Sequence, residues 1–169
     1  MTKEIKTSII IKAKPEKVWE VFTDFNQYPK WNPFITSLTG EVKEGNKIKI
    51  QCDGTSLKPR ILAYTKNKEL VWFGRLFIKG LFNGEHRFVL KYNGKGTTLF
   101  EQSEEFNGIL VKSFSKKIDH QIKEGFELMN EKLKEQVEAK YPYKTKKPYR
   151  KYYKKPQNKN KAKTKDKGK

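Results

Sequence analysis

The chain has 169 residues, with 38 Lys/Arg against 19 Asp/Glu, a net charge of +19 and a mean hydropathy of −0.89. A single cysteine, Cys52, and two histidines, His86 and His120, exclude a disulfide framework, a CxxC metal site and any centre of three or more histidines, and argue against a Ser-His-Asp hydrolase. No apolar signal region opens the chain and no apolar run nears the roughly 20 residues that span a bilayer, so a cytoplasmic, reduced protein without metal or cofactor is expected.

The charge is unevenly spread. From Tyr141 to Lys169, 13 Lys/Arg face one acid, Asp166, for a net +12, whereas the first 140 residues hold 25 Lys/Arg and 18 acids, for +7. Two units follow. Residues 1–140 form a folded domain, large enough to bury about two-thirds of its surface. Residues 141–169 form a disordered basic tail, because that segment has no Val, Ile, Leu, Phe or Trp from which to build a core.

Ile5, Thr7, Ile9 and Ile11 alternate with Lys6 and Ser8, which predicts a half-buried strand over 5–11. Pro15 suits the first turn of a helix, and Val18, Trp19, Val21, Phe22 and Phe25 give that helix one apolar side. The stretch Tyr28-Pro29-Lys30-Trp31-Asn32-Pro33-Phe34 is stiff and bulky. Turn signals at Thr39-Gly40 and Glu44-Gly45-Asn46 punctuate short strands over 37–42, 47–52, 60–66 and 69–78. Longer strands over 84–92 and 97–106 flank the hairpin signal Asn93-Gly94-Lys95-Gly96, so the sheet is antiparallel. A long helix over 112–139 closes the domain, with Phe114, Ile118, Ile122, Phe126, Met129, Leu133 and Val137 in one apolar stripe. Gly125 interrupts it at ~1 kcal/mol relative to Ala, which suggests a close neighbour or a bend.

Period-2 alternation assigns the faces. Gly84, His86, Phe88, Leu90 and Tyr92 share one face of their strand, and Thr98, Phe100, Gln102, Glu104 and Phe106 share one face of the next. A three-residue loop over 93–95 pairs Tyr92 with Gly96 and His86 with Gln102, leaving Glu104 diagonal. Leu70, Trp72, Gly74 and Leu76 face inward on the fifth strand, and Arg60, Leu62 and Tyr64 on the fourth. The concave face is thus apolar with four polar intruders: Arg60, His86, Gln102 and Glu104. An unpaired charge there is costly, so Glu104 finds a partner or shifts its pKa upward.

The order strand, helix, Trp31-Asn32-Pro33-Phe34, six strands and a long helix resembles the START/Bet v1-like (SRPBCC) superfamily, in its polyketide cyclase/dehydrase-like branch. Leu70-Val71-Trp72-Phe73-Gly74, Gly84-Glu85-His86-Arg87-Phe88, Ser103-Glu104-Glu105-Phe106-Asn107-Gly108 and Gly125-Phe126-Glu127-Leu128-Met129-Asn130 carry the resemblance, which covers about residues 3–137. It implies an α+β helix-grip fold: a curved seven-stranded antiparallel sheet, two short helices, and a long C-terminal helix over a hydrophobic cavity. It also implies that Trp31, Phe34, Trp72, Phe88, Phe126 and Met129 surround that cavity. With Arg60, Tyr64, His86, Gln102 and Glu104 they make up the candidate ligand-binding set.

Two readings of the polar intruders stay open. His86, Gln102 and Glu104 satisfy one another and stabilise the sheet, or they orient a ligand carbonyl, hydroxyl or carboxylate. The leading function is binding of a small hydrophobic molecule, lipid-like, polyketide-like or aromatic, for carriage, sequestration or sensing. The alternative is a cyclase/dehydratase-like enzyme with Glu104 or His86 as acid–base. In the tail, Tyr149, Arg150, Lys151, Tyr152, Tyr153, Lys154 and Lys155 interleave rings with cations. That pattern suits RNA or an anionic membrane surface, or serves only as a solubilising extension.

Overall fold

Alternation builds the first strand as read. In the computed structural model, which describes residues 2–52, 54–76 and 82–143, β1 (Thr2–Ile11) buries Ile5, Thr7 and Ile11 and exposes Lys6, Ser8 and Ile10. Helix α1 (Pro15–Phe22) follows, with Pro15 in its first turn and Val18, Trp19, Val21 and Phe22 buried. A 3₁₀ turn (Phe25–Gln27) leads into the one-turn helix α2 (Tyr28–Trp31). The Tyr28 hydroxyl donates to the Phe22 carbonyl at 2.8 Å, and Tyr28 packs edge-on to Trp31 at 5.1 Å. Asn32 then turns the chain, its Oδ1 accepting from the backbone N–H groups of Phe34 (3.1 Å) and Ile35 (2.9 Å). The aromatic-proline stretch is therefore a device that delivers Phe34 into the interior.

The strands are β2 (Ile35–Thr39), β3 (Lys49–Cys52), β4 (Thr55–Leu57), β5 (Arg60–Thr65), β6 (Glu69–Leu76), β7 (Phe82–Tyr92) and β8 (Thr98–Asn107). They divide between two antiparallel sheets, one of five strands in the order β1-β8-β7-β6-β5 and one of three in the order β2-β3-β4. The expected seven strands are thus eight among the described residues. The added one, β4, is three residues long, too short to show a period. The sheets join where Lys47 bridges Arg60 and backbone hydrogen bonds run from Ile48 to Pro59 (3.0 Å) and from Ile61 to Asn46 (2.9 Å).

Two local features change the expected register. The β7–β8 loop spans residues 93–97, and Tyr92 pairs with Thr98 rather than Gly96. Gly94, Lys95 and Gly96 all take positive φ (78°, 50° and 76°), a path that closes over five residues instead of three. The slip is two residues, so each side chain keeps its expected face while His86 now opposes Glu104 and Phe88 opposes Gln102. In β5 a bulge between Ile61 and Ala63 sends Ile61 inward opposite Trp72 and leaves Arg60 and Leu62 exposed.

The C-terminal helix starts as α3 (Ser115–Lys117), passes through a π-helical stretch (Ile118–Ile122) and continues as α4 (Lys123–Lys140). Phe114, Ile118, Ile122 and Phe126 are four apart, and each such step overshoots an α-turn by about 40°. The wider π winding takes up that drift. As a result Ile118, Phe126, Met129, Leu133 and Val137 are all buried against the sheet and α1. Gly125 marks a close approach: a Cβ there would strike the ring of Phe34. Past the helix, the Tyr141 hydroxyl bonds the Glu20 carboxylate and Tyr143 donates to the Lys95 carbonyl at 2.5 Å. The tail candidates Tyr149, Arg150, Lys151, Tyr152, Tyr153, Lys154 and Lys155 lie outside the described residues. Among the described residues no helix is long and apolar enough to cross a membrane.

Candidate functional site

Among the described residues, the space between the large sheet and the C-terminal helix is filled by side chains. Phe88, Gln102, Phe126 and Met129 have no solvent exposure and pack there with Phe22 and Phe100. Among the described residues, a cavity of about 30 Å³ lies between the two sheets, room for about two waters. Phe34, Ile35, Ile50, Cys52, Leu57 and Pro59 form one wall, and Trp72, Gly74, Gly84, His86 and Glu104 form the other. Two glycines shape the second wall. A Cβ on Gly84 would collide with the Glu104 carboxyl group, so glycine provides the slot in which that group lies. A Cβ on Gly74 would meet only Pro59, at 3.8 Å, so this position leaves the cavity open.

Behind the cavity runs a directed chain of hydrogen bonds. Asn130 Nδ2 donates to Thr7 Oγ1 (3.0 Å), and Gln102 Nε2 donates to Asn130 Oδ1 (2.6 Å) and to the Phe126 backbone carbonyl (3.3 Å). A carbonyl oxygen only accepts, so it fixes which end of the Gln102 amide faces it. Gln102 Oε1 is thereby turned toward His86 Nε2, at 3.1 Å, and that nitrogen must carry the proton. The other ring nitrogen, Nδ1, presents its lone pair to Glu104, whose Oε2 is 3.7 Å away. Phe88 and Phe126 hold the imidazole between them, with ring centroids at 4.1 and 4.6 Å and planes nearly parallel.

Burial sets the charge of both groups. Desolvation lowers the His86 pKa to about 3, a shift the Gln102 hydrogen bond only partly opposes. Desolvation also raises the Glu104 pKa to about 8. At neutral pH the site therefore holds a neutral imidazole beside a carboxylic acid. Their separation is just beyond hydrogen-bond range, so the acid proton of Glu104 remains free for a group in the cavity. Such a site can donate to, or protonate, a carbonyl or hydroxyl oxygen. Among the described residues no group of three or more His, Cys, Asp or Glu is placed to hold a metal ion.

Of the candidate set, Phe34, Trp72, His86 and Glu104 line the cavity, and Phe88, Gln102, Phe126 and Met129 support it from behind. Three residues fall elsewhere. Arg60 is turned to the outer surface by the β5 bulge. Tyr64 is 37% exposed and packs on Trp19 at 5.4 Å, beyond the end of the cavity. Trp31 lines a separate groove with Asp24, Gln27 and Gln136. Sequence reasoning missed the wall carried by the small sheet, Ile35, Ile50, Cys52 and Leu57, whose short strands show little period. It also missed Asn130 and Thr7. Asn130 had a readable signal, a polar residue beside Met129 on an otherwise apolar helix face.

Several solved structures share this architecture. A hypothetical protein from Helicobacter pylori aligns with TM-score 0.70 at 14% identity, covering 80% of this chain and 88% of its own. The Zhui aromatase/cyclase from Streptomyces sp. R1128 aligns with TM-score 0.68 at 11% identity, covering 83% and 96%. A START superfamily protein from Mycobacterium smegmatis aligns with TM-score 0.59 at 18% identity, covering 80% and 97%. At these identities the likeness is one of fold. No curated protein matches the sequence. Residues 2–138 match the family described as polyketide cyclase / dehydrase and lipid transport, and the chain belongs to that family, within the START/Bet v1-like fold.

Proposed function

We propose that the chain binds a small, largely apolar molecule bearing a carbonyl or hydroxyl group, held between the two sheets with its oxygen on Glu104. One observation carries this reading: the Glu104 carboxyl group, seated in a slot cut by Gly84, lines a cavity whose opposite wall is apolar, where burial raises its pKa to about 8. An apolar pocket with one or two placed polar groups is the usual form of a small-ligand site. At about 30 Å³ the cavity accepts only the polar end of such a molecule. The remainder enters as Phe34, Ile50 and Leu57 give way at the seam between the sheets.

The test is titration with acetophenone, an apolar ketone, followed through tryptophan fluorescence, since Trp72 lies in the wall. Gly74→Phe sends a ring into the cavity from a position where a Cβ meets only Pro59, at 3.8 Å, and is expected to weaken binding at least tenfold. Glu104→Leu, which removes the hydrogen-bond donor, weakens it about fivefold, the worth of one hydrogen bond of ~1 kcal/mol. Equal affinity in wild type and Gly74→Phe would show that the ligand does not occupy this cavity.

Acid–base catalysis is a second reading, favoured by a Glu104 pKa near working pH and by the lone pair of His86 that faces it. In that role Glu104 protonates a substrate oxygen, and Gln102, Asn130 and Thr7 act as positioning residues that hold the His86 tautomer.

A further inference from the structure

The outer surface of the large sheet carries a second constellation, remote from the cavity. Lys47, Lys58, Arg60, Phe73 and Arg75 line an open groove of about 540 Å³. They come from four pieces of chain: the approach to β3, the β4–β5 link, β5 and β6. Pairing sets their order. Lys47 bridges Arg60, and Arg60 opposes Phe73, so three side chains stand in one row across neighbouring strands. Arg75 follows two residues after Phe73 on the same face, its guanidinium 5.6 Å from the ring centroid. The β5 bulge is what brings Arg60 to this side.

Like charges directly opposite one another across strands destabilise a sheet, and Lys47 with Arg60 is such a pair. Among the described residues, none of the four cations has a carboxylate partner. On neighbouring β7, by contrast, Arg87 is paired with Glu69 (2.9 Å) and Glu85 (3.2 Å). The sheet thus pairs Lys6, Lys91 and Arg87 with carboxylates and leaves these four cations unneutralised in a concavity of small-ligand size. Two of the four are arginines, whose planar forks suit phosphoryl oxygens. Phe73, half-buried, supplies an apolar surface between them.

We infer that this groove binds an organic polyphosphate. Arg60 and Arg75 grip phosphoryl oxygens, Lys47 and Lys58 complete the charge, and Phe73 takes the organic part. Four positive charges in one groove match a di- or triphosphate rather than a single carboxylate.

Calorimetric titration of the full chain with ATP and with inorganic pyrophosphate tests this, at about 50 and about 200 mM salt. The basic tail is present in every variant, so the groove is read as a difference between full-length proteins. Arg60→Gln/Arg75→Gln is expected to bind both probes at least tenfold more weakly than wild type. It also melts no lower than wild type without ligand, because repulsion is relieved. Phe73→Ala weakens ATP but not pyrophosphate. The control Lys112→Gln/Lys116→Gln removes two exposed charges elsewhere and stays within twofold of wild type. No binding by wild type, or equal losses in Arg60→Gln/Arg75→Gln and the control, overturns the proposal. So does a loss confined to phosphatidic-acid vesicles, which would make the groove a membrane contact instead.

Discussion

Glu104 stays protonated at neutral pH because its surroundings solvate the charged form poorly, and His86 stays neutral for the same reason. The two shifts have opposite consequences for stability. Glu104 rises from its ordinary 4.5 to about 8, so between those values the folded state holds a proton that the unfolded state has released. Its contribution therefore falls as pH rises through that window. His86 drops from 6.5 to about 3, so its contribution falls as pH decreases from 6.5 toward 3. Between pH 4.5 and 6.5 the two slopes offset each other, and from 6.5 to 8 only Glu104 acts. Wild type is thus expected to lose about 2 kcal/mol relative to Glu104→Gln over this upper window, 1.5 pKa steps at ~1.4 kcal/mol each. Melting temperatures of both proteins at pH 6.5 and pH 8 measure it. A constant gap between them would mean that Glu104 is already ionised at pH 6.5.

At the level of elements, Gly125 and Phe34 form one unit. Alanine is normally the better helix residue by ~1 kcal/mol, yet a Cβ at Gly125 would strike the Phe34 ring. Overpacking of that kind costs about 1–3 kcal/mol. Gly125→Ala should therefore destabilise wild type and stabilise a Phe34→Ala background by about 1 kcal/mol. A double-mutant cycle in urea reads the coupling, and additive effects would show that the two do not touch. The same scale explains what could be read beforehand. Faces were legible along the middle of β1, β7 and β8, where burial alternates, though Tyr92 at the end of β7 is exposed. Register was not, because three consecutive positive-φ residues at Gly94, Lys95 and Gly96 lengthened a loop whose composition suits several lengths. Arg60 was placed inward because a bulge leaves no mark in an alternating pattern.

For the whole molecule, the order of elements was enough to identify a helix-grip domain, and membership of the polyketide cyclase/dehydrase and lipid transport family agrees with it. The position of the cavity was not legible. Residues such as Phe88, Phe126 and Met129 can line a hollow or fill it, and only packing decides; here they fill it. Among the described residues a narrow seam stays open between the two sheets, where an acid sits against a wall from strands too short to announce themselves. A carboxyl ¹³C NMR titration of the full chain reads the protonation of Glu104 directly, with its resonance assigned as the one missing from Glu104→Gln. A midpoint near 8 is expected, with a shift of that resonance when acetophenone is added. A midpoint near the ordinary 4.5, with no response to acetophenone, would contradict it.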